Sequence, residues 1–226
     1  MSVFFVQFFK LPIICIIFGL FSLMFVELDR QAYESSNFNN SDSSIEIIES
    51  ISPSKEFIII SHGFAGSKEM MRQIAYDIAN AGSNAVLFDF IGHGSNQQKL
   101  VNQPAEITGT TQQLVAQLSD IIKSIYEKFG NEISISLVGH SMASDIVIRA
   151  SADERIKSVV AISPYSTGIT PDFPKDLLLI SGQFENHLRS HALKMVKTFR
   201  PDAEENTGYA DERIRRKASY IKNTGH

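Results

Sequence analysis

The chain has 226 residues and a formal net charge of −4 at pH 7, from 21 basic and 25 acidic side chains. That length accommodates one α/β domain of ordinary size plus an appendage, and the mild acidity excludes the basic footprint of a nucleic-acid binder. The single cysteine, Cys15, lies in an apolar N-terminal stretch, so the remainder of the chain can hold no internal disulfide.

Val3 to Val26 is apolar, interrupted by Gln7, Lys10 and Pro12, and from Leu11 to Val26 it carries no charge. As a helix, Leu11 to Val26 spans about 24 Å, and Val3 to Phe9 can extend it toward the roughly 30 Å of a bilayer core while Lys10 snorkels. No small-residue cleavage signal follows; the run passes straight into Glu27-Leu28-Asp29-Arg30. The expectation is an uncleaved membrane anchor over 1–28, a transmembrane signal anchor. Lys10 and the terminal amine precede the span and acids follow it, so the positive-inside rule places the following domain on the extracytoplasmic side. Residues 29–44, rich in Ser and Asn, read as a linker.

From Ile45 the hydrophobic pattern changes to short runs separated by helical periods. Ile45 to Ile51 reads as an edge strand and Phe57 to Ser61 as a central one. A helix from about Lys68 to Ala81 follows, then a strand over Ala85 to Phe88, a polar loop over Asn96 to Thr108, and an amphipathic helix over Gly109 to Phe129. Ile133 to Val138 is the next strand and Ala143 to Ala150 the next helix. Ile156 to Ile162 and Leu177 to Ser181 read as strands, His187 to Phe199 as a helix, Asp211 to Arg216 as a basic helix and Ala218 to Ile221 as a last short strand. This alternation predicts a doubly wound, mostly parallel sheet over 45–226, with His62, Asp89, Ser141, Ser163 and Glu185 each just past a strand end, along the edge where such sheets bind ligands.

The most informative stretch is Gly139-His140-Ser141-Met142-Ala143, between the strand over Ile133 to Val138 and its helix. A serine at the tip of so tight a turn is a nucleophile elbow: its hydroxyl stands above the sheet, and the residues two before and two after must be small, as Gly139 and Ala143 are. The amide of Met142 faces the same space and is a candidate oxyanion donor.

Three further segments stand at matching places: Ser61-His62-Gly63-Phe64, Asp89-Phe90-Ile91-Gly92-His93-Gly94 and Gly182-Gln183-Phe184-Glu185. With the elbow, they make the chain from about Glu46 to His226 resemble the α/β-hydrolase superfamily of serine hydrolases. The phrases His62 to Ser67 and Gly139 to Asp145 also resemble a bacterial membrane-associated branch of it. The resemblance implies an α/β-hydrolase fold and a catalytic triad in the chain order Ser, acid, His. Ser141 is then the nucleophile and Glu185 the acid, with Asp172 as the fallback. His226, in the loop after the last strand, is the base, and the amide of Phe64 is the second oxyanion donor. The side chains of Phe64 and Met142 are free to line an acyl pocket. His62, His93 and His140 precede the acid and read as loop-fixing residues, and Asp145 as structural. Relatives continue past the position of His226, so the domain reads as truncated at its C-terminus. The few residues between Ser163 and Leu177 leave no room for a large cap.

The expected activity is hydrolysis of a carboxylic ester or related acyl bond through an acyl-enzyme, on a small-molecule or lipid-like acyl substrate. It needs no cofactor: no Cys pair or H-E-x-x-H marks a metal site. The alternative is a non-catalytic, membrane-tethered binding or scaffold domain on a hydrolase fold. The serine motif alone does not choose between them.

Overall fold

The computed structural model describes residues 2–40, 43–100, 107–164, 176–182, 184–199 and 216–221. The chain divides into two compact units, Met1–Glu34 and Ser35–His226.

The first unit is helix α1, Ser2–Gln31, which continues through Pro12. Every side chain from Pro12 to Leu28 is exposed, including Phe18 at 75% and Leu23 at 66%. The helix is apolar on all its faces rather than along one stripe. Nevertheless, among the described residues no helix is long and apolar enough to cross a membrane.

In the second unit, eight strands among the described residues form one sheet. They are β1 (Ser35–Asn39), β2 (Ser44–Ile48), β3 (Glu56–Ser61), β4 (Asn84–Phe88), β5 (Ser134–His140), β6 (Ile156–Ile162), β7 (Leu177–Gly182) and β8 (Arg216–Ile221), in the spatial order β1-β2-β4-β3-β5-β6-β7-β8. The first two run antiparallel to their neighbours and the other six are parallel. The six parallel strands therefore all end along one edge of the sheet. The helices are α2 (Arg72–Asn80), preceded by a short 3-10 turn at Lys68–Met71, α3 (Ile107–Phe129), α4 (Met142–Ala150) and α5 (Asn186–Phe199).

The expected mostly parallel architecture is present, with differences toward its two edges. Ser35–Asn39, inside the stretch read as a linker, is a strand, and Ile45 to Ile48 is not at the edge because β1 covers it. Ser and Asn have low strand propensity. The ladder to β2 holds β1 in place, together with Phe38, which packs against the core. Arg216, read as the end of a basic helix, instead opens β8; residues 211–215 lie outside the described residues.

The core follows from the hydrophobic pattern. Ile59, Val86, Leu137, Val159 and Leu179 are buried on the sheet, with Leu114, Leu118, Ile121, Ile122 and Ile125 from α3 packed into the same cluster. Each such side chain stabilises the fold by about 1.5–3 kcal/mol. Beside it lies a buried ionic cluster. Arg72 Nη1 and Nη2 donate to the Glu46 carboxylate at 2.7 and 2.9 Å, and Lys68 Nζ lies 2.9 Å from Glu46 Oε2. Arg72 also grips Glu69 at 2.6 and 2.7 Å.

Candidate active site

Ser141 stands between β5 and α4 with φ 53° and ψ −115°, a conformation that L-residues rarely adopt. Its amide donates to Ile162 O of β6 at 2.9 Å, and its carbonyl accepts from the Ser144 amide at 2.9 Å and the Ser144 hydroxyl at 2.5 Å. The turn closes only because Gly139 has no side chain: a Cβ there would run into the Ala143 backbone and come within 2.7 Å of Val147. This is the close approach that the small-residue spacing predicted.

The loop after β3 lies against this elbow. A Cβ on Gly63 would be 3.1 Å from His140 Nδ1 and 3.2 Å from Ser141 Cβ. Phe64, the next residue, therefore belongs to a segment in touch with Ser141. Its side chain is 75% exposed, with its ring edge-on to His93 at 5.7 Å between centroids. Met142 begins α4, and its half-buried side chain packs against the hydrophobic core.

Buried polar groups fix that loop. His62 Nδ1 donates to Gly63 O at 2.8 Å, and the Phe90 amide donates to His62 Nε2 at 3.1 Å. One ring nitrogen donates and the other accepts, which defines a neutral imidazole. Burial holds its pKa below the ordinary value, in keeping with that tautomer. The 3.9 Å approach of Asp89 Oδ1 to Nε2 is thus not a charged pair. Asp89 instead accepts from the Lys68 amide at 2.7 Å, the Ser95 amide at 2.9 Å and the Ser95 hydroxyl at 2.8 Å. Burial alone would push its carboxyl up, but those donors outweigh it and the net shift is down. Gly94 is required beside it, because a Cβ there would overlap the carboxylate. His93 Nδ1 donates to Ile91 O at 3.0 Å. His62 and His93 therefore have the loop-fixing contacts expected of them. Asp145 pairs with Arg149 one turn along α4, at 2.8 Å.

Glu185 follows β7 and immediately precedes α5. Its carboxylate accepts from the Gly182 amide at 2.5 Å and lies 2.9 and 3.0 Å from the Ser163 hydroxyl. Ser163, directly after β6, sits at the edge that the sequence pattern indicates, but its contact with Glu185 has no signal in the sequence. The contact depends on β6 lying between β5 and β7, which a linear pattern does not display. Gln117 was also missed; it donates to Asp89 O at 3.1 Å and accepts from the Ile91 amide at 2.9 Å. His226, Asp172 and the segment that would hold a cap lie outside the described residues. Among the described residues, no group of acids, histidines and cysteines could hold a metal.

Among the described residues, three non-glycine residues have positive φ: Ala65 at 55°, Ser141 at 53° and Ser163 at 50°. All three sit at the carboxyl edge of the parallel strands, after β3, β5 and β6. Backbone strain of this kind persists where the surroundings over-determine it, and it clusters at functional sites.

A family model described as serine aminopeptidase, S33, matches residues 52–221, which takes in the elbow, the loop after β3 and Glu185. The chain belongs to that family. No curated protein sequence matches it. Solved structures share the α/β-hydrolase fold of this S33-family chain. TT1662 from Thermus thermophilus has a TM-score of 0.65 at 16% identity, over 86% of this chain and 90% of its own. Dienelactone hydrolase from Anabaena variabilis has 0.63 at 12%, over 86% and 87%. A Pyrococcus furiosus esterase has 0.61 at 16%, over 84% and 80%. At these identities the likeness establishes the fold.

Proposed function

We propose that this S33-family chain is a serine hydrolase that cleaves a carboxylic ester or related acyl bond through an acyl-enzyme. The observation that carries the reading is the strained elbow at Ser141, with the loop of Gly63 and Phe64 pressed against it. A plain strand-to-helix turn gives no reason to hold a serine at φ 53°.

The Ser141 hydroxyl attacks the substrate carbonyl and gives its proton to the base, His226. The amides of Met142 and Phe64 receive the charge that develops on the carbonyl oxygen. The C–O bond to the leaving group breaks, and that group leaves as an alcohol with the proton from His226. Water, deprotonated by the same imidazole, then attacks the ester on Ser141, releasing a carboxylic acid and restoring the hydroxyl. Glu185 orients the imidazole and stabilises its charged form. The exposed Phe64 ring offers an apolar surface for the acyl group.

The test is covalent labelling with a fluorophosphonate probe. The wild-type chain is expected to label at Ser141, and Ser141→Ala to lose the signal. Lack of labelling in well-folded wild-type protein defeats the proposal and favours a binding domain.

The reading extends to a membrane tether through α1, as in the membrane-associated branch that the His62 and Gly139 phrases resemble, with the hydrolase domain on the extracytoplasmic side. Its support is a helix that shows apolar side chains on every face, which water does not favour. Full-length chain is expected to stay with membranes after alkaline carbonate extraction, and a variant carrying Ile17→Lys and Phe21→Lys to move to the soluble fraction. Recovery of both in the soluble fraction contradicts the tether.

A further inference from the structure

We propose that Ser163 is a positioning residue for the Glu185 carboxylate, and that through it β6 links the acid to the nucleophile. The inference rests on the assignment of Ser141 and Glu185 above.

Two neighbouring residues at the end of β6 reach in opposite directions. Ile162 accepts the Ser141 amide at 2.9 Å. Ser163 donates its own amide to Ile180 O of β7 at 2.7 Å and brings its hydroxyl to 2.9 and 3.0 Å from the two oxygens of Glu185. The nucleophile's backbone and the acid's carboxylate are thus both held by one dipeptide. The Gly182 amide takes Oε2 at 2.5 Å. Two donors on different elements fix the plane of the carboxylate. The single Ser163 proton satisfies one lone pair, so lone pairs remain on the carboxylate for the N–H of the base.

The backbone of Ser163 strengthens the argument. Its φ of 50° is one that glycine adopts freely and serine rarely does. The residue is 6% exposed, so its side chain is not there for solubility. A glycine would suit the backbone better, and what it would lack is the hydroxyl on Glu185. Ser163 touches neither substrate nor reacting atoms in this scheme; it acts through the acid.

Ser163→Gly and Ser163→Ala separate the two roles, assayed in the full chain with 4-nitrophenyl butyrate. Both are expected to lower kcat by about 10- to 100-fold, the scale on which loss of an outer hydrogen-bond partner affects an oriented ligand, with KM unchanged within about twofold, since substrate contacts are untouched. Ser163→Gly is expected to melt at or above the wild-type temperature, so its loss of kcat cannot come from unfolding. Adding Ser163→Ala to Glu185→Gln should lower kcat no further than Glu185→Gln alone, because the two act as one unit. Wild-type kcat in Ser163→Gly, with Glu185→Gln inactive, overturns the role of Ser163 and leaves the acid in place. Wild-type kcat in Glu185→Gln overturns the acid assignment itself, and this proposal with it.

Discussion

Ser141→Ala is expected to lose turnover by about 10⁴-fold or more, the scale on which loss of a serine nucleophile acts, while unfolding at the wild-type temperature. Two bonds that shape the elbow come from the backbone and survive the change: the Ser141 amide still reaches Ile162 and its carbonyl still accepts from Ser144. Alanine keeps the Cβ, so the strain at φ 53° and ψ −115° remains as well. Ser141→Gly is expected to be equally inactive but more stable. Relief of the backbone conformation stabilises by about 1–3 kcal/mol, against about 0.5–1 kcal/mol of added unfolded-state entropy. The net gain of about 1 kcal/mol raises Tm by roughly 2–4 °C for a domain of this size. Kinetics with 4-nitrophenyl esters and thermal melts of the three proteins check both parts. Residual wild-type turnover in Ser141→Ala would show that the chemistry lies elsewhere, and a lower Tm for Ser141→Gly would show that the elbow is not strained.

Glu46→Gln is expected to destabilise the domain by about 3–5 kcal/mol at pH 7, the range for breaking one side of a buried ionic pair. Glu46 is 4% exposed and receives both Arg72 and Lys68. Burial by itself would raise its pKa, but Arg72 and Lys68 outweigh that and bring it from 4.5 to about 2. A carboxylate whose pKa is lower folded than unfolded adds stability above its unfolded value and loses it as pH falls. Here the window runs from about pH 4.5 down to about pH 2, and the ionised pair is worth about 3 kcal/mol above it. Urea unfolding at pH 7 and near pH 3 should show the gap between wild type and Glu46→Gln narrowing to about half. A gap that is independent of pH would mean that the substitution acts through packing. Arg72 keeps Glu69, so the loss falls mainly on Lys68, whose own amide holds Asp89, one of the buried groups that fix the loop beside Ser141. A fall in activity is therefore expected alongside the fall in stability.

Much of this could be read before the fold was known. The strands β3, β4, β6 and β7 announce themselves because strands in the middle of a covered parallel sheet are short, near-continuous apolar runs, and Phe57–Ile60, Ala85–Phe88, Val159–Ile162 and Leu177–Ile180 are such runs. The elbow is legible because its geometry demands small residues at fixed spacing. Strand β1 was not, because Ser35-Ser36-Asn37-Phe38-Asn39 offers one apolar side chain and its place comes from a long-range ladder. The same holds at the site. Ser141 and Glu185 carry local signals, whereas the grip of Ser163 on Glu185 depends on which strands lie side by side. The neutral state of His62 likewise comes from a carbonyl and an amide that a sequence does not align.

The parallel order of β5, β6 and β7 also sets a timetable for synthesis. Ser141 leaves the ribosome with its elbow sequence complete, but the partner of its amide, Ile162, is made 21 residues later, and β6 is flanked on its far side only when β7 has followed. Each parallel pairing must wait for a whole crossover to be translated, which makes such sheets slow to assemble. A growing chain therefore carries Ser141 before its amide has a partner. The arrangement at the carboxyl edge of the sheet is thus completed late in the life of the nascent polypeptide.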